Sequence, residues 1–129
     1  MSRHWQPVTL DDSLPRPAGA YSPGVRAGDL LFVSGQVPRD PATGEVVSGG
    51  IEAQTRRVLE NVRLVLAAGG ATLDDVVSVT VYLADVDHWG TFNEIYRSVF
   101  SPPYPSRTAV GAQLRGILVE VSAVALVRR

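Results

Sequence analysis

The sequence predicts an α+β fold, a single domain built on one mixed sheet of about six strands with two helices on one face. Three observations predict it. Two stretches repeat apolar residues at three- and four-residue steps, and the others alternate or run apolar as strands do. The elements follow the order hairpin, helix, strand, helix, strand, strand. The chain has 129 residues, a length typical of one domain.

Residues 1–17 read as a partly ordered N-terminal segment of the domain 1–129. Residues 11–24 hold Pro15, Pro17, Gly19, Pro23 and Gly24 around Tyr21 and Ser22, the composition of an ordered loop. Val25-Arg26, a turn at Ala27-Gly28-Asp29, and Leu30 to Ser34 read as a hairpin, closed by Gly35 and Gln36. Residues 38–50 are rich in Pro and Gly and form a turning excursion.

Ile51 to Ala68 is the clearest helix. Ile51, Thr55, Val58, Leu59, Val62, Val65 and Leu66 share one face, and Gly69-Gly70 ends it. Asp75 to Ala84 follows as a strand. Strict alternation puts Val77, Val79, Val81 and Leu83 on one face and Val76, Ser78, Thr80 and Tyr82 on the other. A second helix begins with Asp85 or Asp87 as its cap and runs to about Phe100. Its apolar stripe is Trp89, Phe92, Tyr96 (or Ile95) and Val99, and Pro102, Pro103 and Pro105 stop it. Two strands follow, about 107–112 and 117–127, joined by a short turn around Arg115-Gly116.

The last strand is apolar on both sides. Ile117, Val119, Val121, Ala123, Ala125 and Val127 make one face; Leu118, Val124 and Leu126 make most of the other. Such a strand is expected to be covered on both sides. Two helices cover one face only, so a second copy of the chain is expected on the other.

Composition excludes several function classes. Hydrophobic residues at 45% and charged residues at 19% describe a globular chain rather than a disordered one. Twelve Lys+Arg against 13 Asp+Glu leave a net charge of −1, which favours neither nucleic acid nor an anionic membrane as partner. Cysteine is absent, which removes disulfides, thiolate nucleophiles and zinc–thiolate sites. No apolar run reaches the roughly eighteen residues of a spanning helix, and Met1 to Pro7 lack a secretory h-region. A cytoplasmic protein is expected. His4 and His88 are the only histidines and have no metal-ligand spacing. Phosphate-loop, dinucleotide and serine-elbow motifs are absent, and no metal or cofactor is expected.

Between residues 107 and 127 the formal charges are Arg107, Arg115 and Glu120. Glu120 lies mid-strand on the side of Leu118, Ser122 and Val124, where a carboxylate must be paired, hydrogen-bonded or set in a polar cavity. Arg107 opens the neighbouring strand after Pro105-Ser106. An arginine there suits a small carboxylate, bound by two parallel charge-assisted bonds. Mutual pairing of Arg107 and Glu120, or pairing with solvent, is the plain alternative. Tyr21 either caps a pocket or plugs the core edge. Ser34-Gly35 either offers backbone donors or a bulge. Asn93 either lines a site or is an ordinary helix residue.

Seven stretches then add up in order: Tyr21-Ser22-Pro23-Gly24-Val25, Gly28 to Gln36, Ile51 to Thr55, Leu59-Glu60-Asn61-Val62, Phe92 to Tyr96, Pro105-Ser106-Arg107-Thr108 and Leu118-Val119-Glu120-Val121. Over about residues 18–127 the chain resembles the Rid (reactive intermediate deaminase, YjgF-like) family, many of whose members carry the label endoribonuclease L-PSP. The resemblance implies a chorismate-mutase-like fold, a homotrimer, and active sites in clefts between subunits. It also implies hydrolysis of 2-imino acids such as 2-aminoacrylate and 2-iminobutanoate to 2-keto acids and ammonia. By similarity Arg107 grips the substrate carboxylate and Glu120 holds or polarises water. Tyr21, Ser34, Gly35 and Asn93 line the cleft, as does Ala109, which stands where relatives frequently carry Cys or Thr and leaves only its backbone to contribute. The alternatives are an endoribonuclease or translation inhibitor, and a non-catalytic binder of small carboxylates on the same fold.

Overall fold

The structure is a computed structural model and describes residues 3–9 and 11–127. Six strands form one sheet: β1 Gln6–Pro7, β2 Gly24–Ala27, β3 Leu30–Gln36, β4 Val76–Leu83, β5 Ser106–Gly111 and β6 Val119–Leu126. Two helices, α1 Gly50–Ala68 and α2 Trp89–Val99, complete the fold. The spatial order is β1-β2-β3-β6-β4-β5. β4 and β5 are parallel and every other pair is antiparallel. The α+β architecture with both helices on one face is as the sequence predicts.

The β2–β3 hairpin turns on Gly28-Asp29, with Ala27 paired to Leu30. Gly28 has a φ of 60°, which its missing β-carbon permits without strain. α1 buries Thr55, Val58, Leu59, Val62, Val65 and Leu66 along the predicted stripe. Each fully buried aliphatic there contributes about 1.5–3 kcal/mol relative to exposure. Beneath the helices, Leu31, Val33, Val79, Val81, Leu83, Val119, Val121, Ala123 and Ala125 supply the sheet's half of the core.

Four expectations need correction. β5 and β6 are not neighbours, because β4 lies between them. A helix separates β4 from β5, which is the length of connection a parallel pair requires, so β5 takes the outer edge. In β4, Val76 is buried and Val77 exposed, the reverse of strict alternation. A register shift between Val76 and Ser78 against β6 explains it, since one extra residue flips the side chains that precede it. Residues 86–88 form a separate 3-10 turn before α2, capped by the Asp85 carboxylate, which accepts from the Asp87 amide at 2.9 Å. Trp89 is not core but 46% exposed, because α2 begins on it at the sheet's edge.

The second face of the sheet is open in the single chain. It presents Phe32 at 42% exposure and Leu126 at 50%, beside the partly exposed Val124, Ser122 and Glu120. Among the described residues no helix is long and apolar enough to cross a membrane.

Candidate active site

Cross-strand register decides where the candidate residues stand. Arg107 pairs with Val79 and Ala109 with Val81, so both share the helix-covered side. Glu120 pairs with Tyr82 and points to the opposite, open side. Three residues of β4 and two inter-strand spacings separate them, roughly 10 Å along the strands and roughly 10 Å across. Within one chain Arg107 and Glu120 therefore do not meet. The structure sorts the candidates into two half-sites.

The first half-site surrounds Arg107. Its Nη1 donates to the Asn93 amide oxygen at 2.9 Å. Its guanidinium carbon lies 4.6 Å from the Tyr96 ring centroid and 5.7 Å from that of Trp89, the range of cation–π attraction. A hydrogen bond on one edge and rings against its surface leave the guanidinium other donors for a ligand. Asn93, Tyr96, Arg97, Tyr104, Pro105 and Arg107 line a cavity of about 270 Å³ at this place. No described carboxylate forms an ion pair with Arg107. Burial pushes the Tyr96 phenol up, an effect the Arg107 charge opposes and nearby Tyr104 reinforces. The Tyr96 hydroxyl is buried and makes no hydrogen bond to any described residue. Ala109 packs against the core by its methyl group.

The second half-site surrounds Glu120. β3 carries a register shift between Val33 and Gln36 against β6, so Ser34-Gly35 form a bulge. The Ser34 hydroxyl donates to the Ser22 carbonyl at 2.6 Å, and its amide to the Pro23 carbonyl at 3.0 Å. These two bonds tie the Tyr21–Gly24 loop to β3. Tyr21 and Gly35 border one cleft with Pro15, Arg16, Pro23 and Val37, and Tyr21 is exposed there, its hydroxyl accepting from the Ala18 amide at 3.2 Å. Gly35 faces the Glu120 carboxyl directly. No described residue donates a hydrogen bond to that carboxyl, and burial raises its pKa above the ordinary glutamate value.

Tyr21, Ser34, Gly35 and Glu120 thus gather on one side, Asn93 and Arg107 on the other, with Ala109 beside the latter. Sequence reasoning missed Trp89 and Tyr104 as walls of the Arg107 half-site and took Tyr96 for core alone. No residue pattern distinguishes an aromatic stacked on a cation from one stacked on a leucine. It also passed over Gln54 and Asn61, two amides on the apolar face of α1, whose position on a core stripe was the available signal. Among the described residues no group of three or more His, Asp or Glu is placed to hold a metal ion.

Comparison with known proteins covers nearly the whole chain. The family model described as Endoribonuclease L-PSP matches residues 12–127. A RutC family protein of Pyrococcus horikoshii is 43% identical over 120 residues, 92% of this chain and 95% of its own. The 2-iminobutanoate/2-iminopropanoate deaminase of Mus musculus is 40% identical over 128 residues, 98% of this chain and 95% of its own. The crystal structure of RidA from an Antarctic Psychrobacter superposes with a TM-score of 0.89 at 34% identity, covering 95% of this chain and 100% of that one. Sequence and fold agree over nearly the whole chain, which belongs to the endoribonuclease L-PSP family of Rid and RutC proteins.

Proposed function

We propose that the protein hydrolyses reactive 2-imino acids, of the 2-aminoacrylate and 2-iminobutanoate type, to 2-keto acids and ammonia. The active unit is a homotrimer in which the Arg107 half-site of one copy faces the Glu120 half-site of the next. The observation that carries this reading is the state of Arg107. It is aligned by Asn93 and Tyr96, borders a cavity, and has no described acid partner. A bare fork of this kind fits a substrate carboxylate with two parallel bonds. The open apolar face around Phe32 and Leu126 supports the assembly. The relatives named as deaminases support the chemistry.

The reaction needs little beyond positioning and charge. Arg107 fixes the carboxylate and so places the imine carbon against water at Glu120. The Glu120 carboxylate takes a proton as the water oxygen bonds to that carbon. The C=N π pair moves to nitrogen, which receives the proton back from Glu120. The carbinolamine then collapses: its hydroxyl proton passes to nitrogen, the C–N bond breaks, and ammonia and the 2-keto acid leave. A carboxyl whose pKa burial raises above the ordinary glutamate value suits this exchange. The Gly35 bulge and Tyr21 shape the water side of the cleft.

The test follows 2-iminobutanoate generated in situ. Wild-type protein should accelerate its loss, and Arg107→Ala should return it to the spontaneous rate. A wild type that leaves the spontaneous rate unchanged overturns the reading. Carboxylate binding that depends on Arg107 without turnover of any imine would assign the binding role instead.

A further inference from the structure

Two amides of α1 reach out of the core to the two chain segments that carry Glu120 and Gly35. Gln54 is 8% exposed and Asn61 fully buried. They are seven residues apart, two helical turns, and so project from the same face about 10 Å apart. The Gln54 Oε1 accepts from the Leu118 amide at 2.8 Å, two residues before Glu120. Leu118 is also held on its other side, its carbonyl accepting from the Ala84 amide at 3.0 Å. The Asn61 Nδ2 donates to the Val37 carbonyl at 3.0 Å and the Arg39 carbonyl at 2.9 Å, just past the Ser34-Gly35 bulge. Its Oδ1 accepts from the Arg57 Nε at 3.0 Å, which fixes the orientation of the amide. None of these hydrogen bonds is to Glu120 itself.

We infer that Gln54 and Asn61 are positioning residues that hold β6 and the Gly35 bulge in the register at which the Glu120 carboxyl lies against Gly35. The inference rests on the reading of Glu120 as the group that holds water. Apolar residues of the same volume at 54 and 61 would fill the space but deprive the Leu118 amide and the Val37 and Arg39 carbonyls of these partners. The Gln54 Oε1 and the Asn61 Nδ2 thus bond to backbone groups flanking the half-site. Among the described residues, β4 pairs the titratable Tyr82 with Glu120, while β3 presents Gly35. The surroundings of the carboxyl therefore depend mainly on how closely these backbones approach.

The test uses Gln54→Met and Asn61→Ser, with Gln54→Glu as the conservative variant that keeps an acceptor for the Leu118 amide. Imine turnover is measured against pH, with thermal unfolding measured in parallel. In Gln54→Met and Asn61→Ser, kcat should fall about tenfold or more, the scale of a small misplacement of a reacting group. The pH limb assigned to Glu120 should also move to lower pH as its carboxyl gains water, with KM little changed because Arg107 is untouched. Gln54→Glu should restore both. Loss of stability alone lowers the active fraction but leaves the pH limb in place, and that result overturns the inference. So does failure of both Gln54→Met and Asn61→Ser to fold, which would make the amides props of the whole fold. Glu120→Gln is run beside them: if it turns over imine like wild type, the reading of Glu120 fails instead.

Discussion

Gly35 and Glu120 lie so close that any side chain at the glycine must displace the carboxyl. A β-carbon on Gly35 would stand 3.0 Å from Glu120 Cδ and 3.3 Å from its Cγ, and nearer still to Oε2. The bulge in β3 and the acid in β6 are thus one packing unit. Gly35→Ala should push the carboxyl out of place. The end of a partly exposed side chain can move aside, so stability should change little while imine turnover falls. Thermal unfolding and turnover of the variant check both effects.

Burial raises the Glu120 pKa in the folded chain. A raised carboxyl pKa means stability that is complete below the unfolded value and lost as pH rises through the folded one. Glu120→Gln escapes that loss. Its melting temperature should match wild type near pH 4 and exceed it near pH 7, while imine turnover is abolished. If a neighbouring copy's guanidinium offsets part of the shift, the gap at pH 7 should widen in an Arg107→Ala background. Melting curves of the four proteins at the two pH values decide it.

Asn93 aligns Arg107 through one bond of 2.9 Å. Asn93→Ala frees the guanidinium to swing while leaving its charge and its contact with Tyr96. A bond to a charged group contributes about 1.5–3 kcal/mol. The expected result is a KM raised about tenfold or more, with kcat reduced less. Steady-state kinetics across substrate concentrations read the split. An unchanged KM would show that Asn93 is only a helix residue.

The open sheet face should bind copies of the chain. Phe32→Asp puts a carboxylate among Val124, Leu126 and Leu30, where a dry interface cannot accept it. Wild type should run as a trimer in sedimentation, and the variant as a monomer that retains its far-UV circular dichroism. Because the two half-sites lie on opposite sides of one sheet, the monomer should also lose turnover. Mixing Arg107→Ala with Glu120→Gln protein should restore part of it, since some mixed assemblies then pair an intact Arg107 with an intact Glu120.

The elements themselves were legible in the sequence. The stripe from Thr55 to Leu66 is helical by spacing alone, and β6 shows two apolar faces because each alternate residue is apolar. Gly28 marks the hairpin turn for a local, steric reason. Arg107 and Glu120 stand out because charges are rare between residues 107 and 127. These are facts of neighbouring residues along the chain, and short-range periodicity records them faithfully.

Strand order, register and the far sides of contacts were not legible. Nothing local says that β4 inserts between β5 and β6, or that one extra residue near Val77 reverses its partner's face. The role of Gly35 depends on Glu120, eighty-five residues later, and the tasks of Gln54 and Asn61 depend on backbone groups of distant strands. The sequence by itself determined which segments are helix or strand and which side chains carry charge, because those follow from local periodicity and chemistry. Tertiary structure alone decided that Arg107 and Glu120 face opposite ways, because the side of a sheet on which a residue emerges is set by long-range pairing, where a shift of one residue exchanges the two faces.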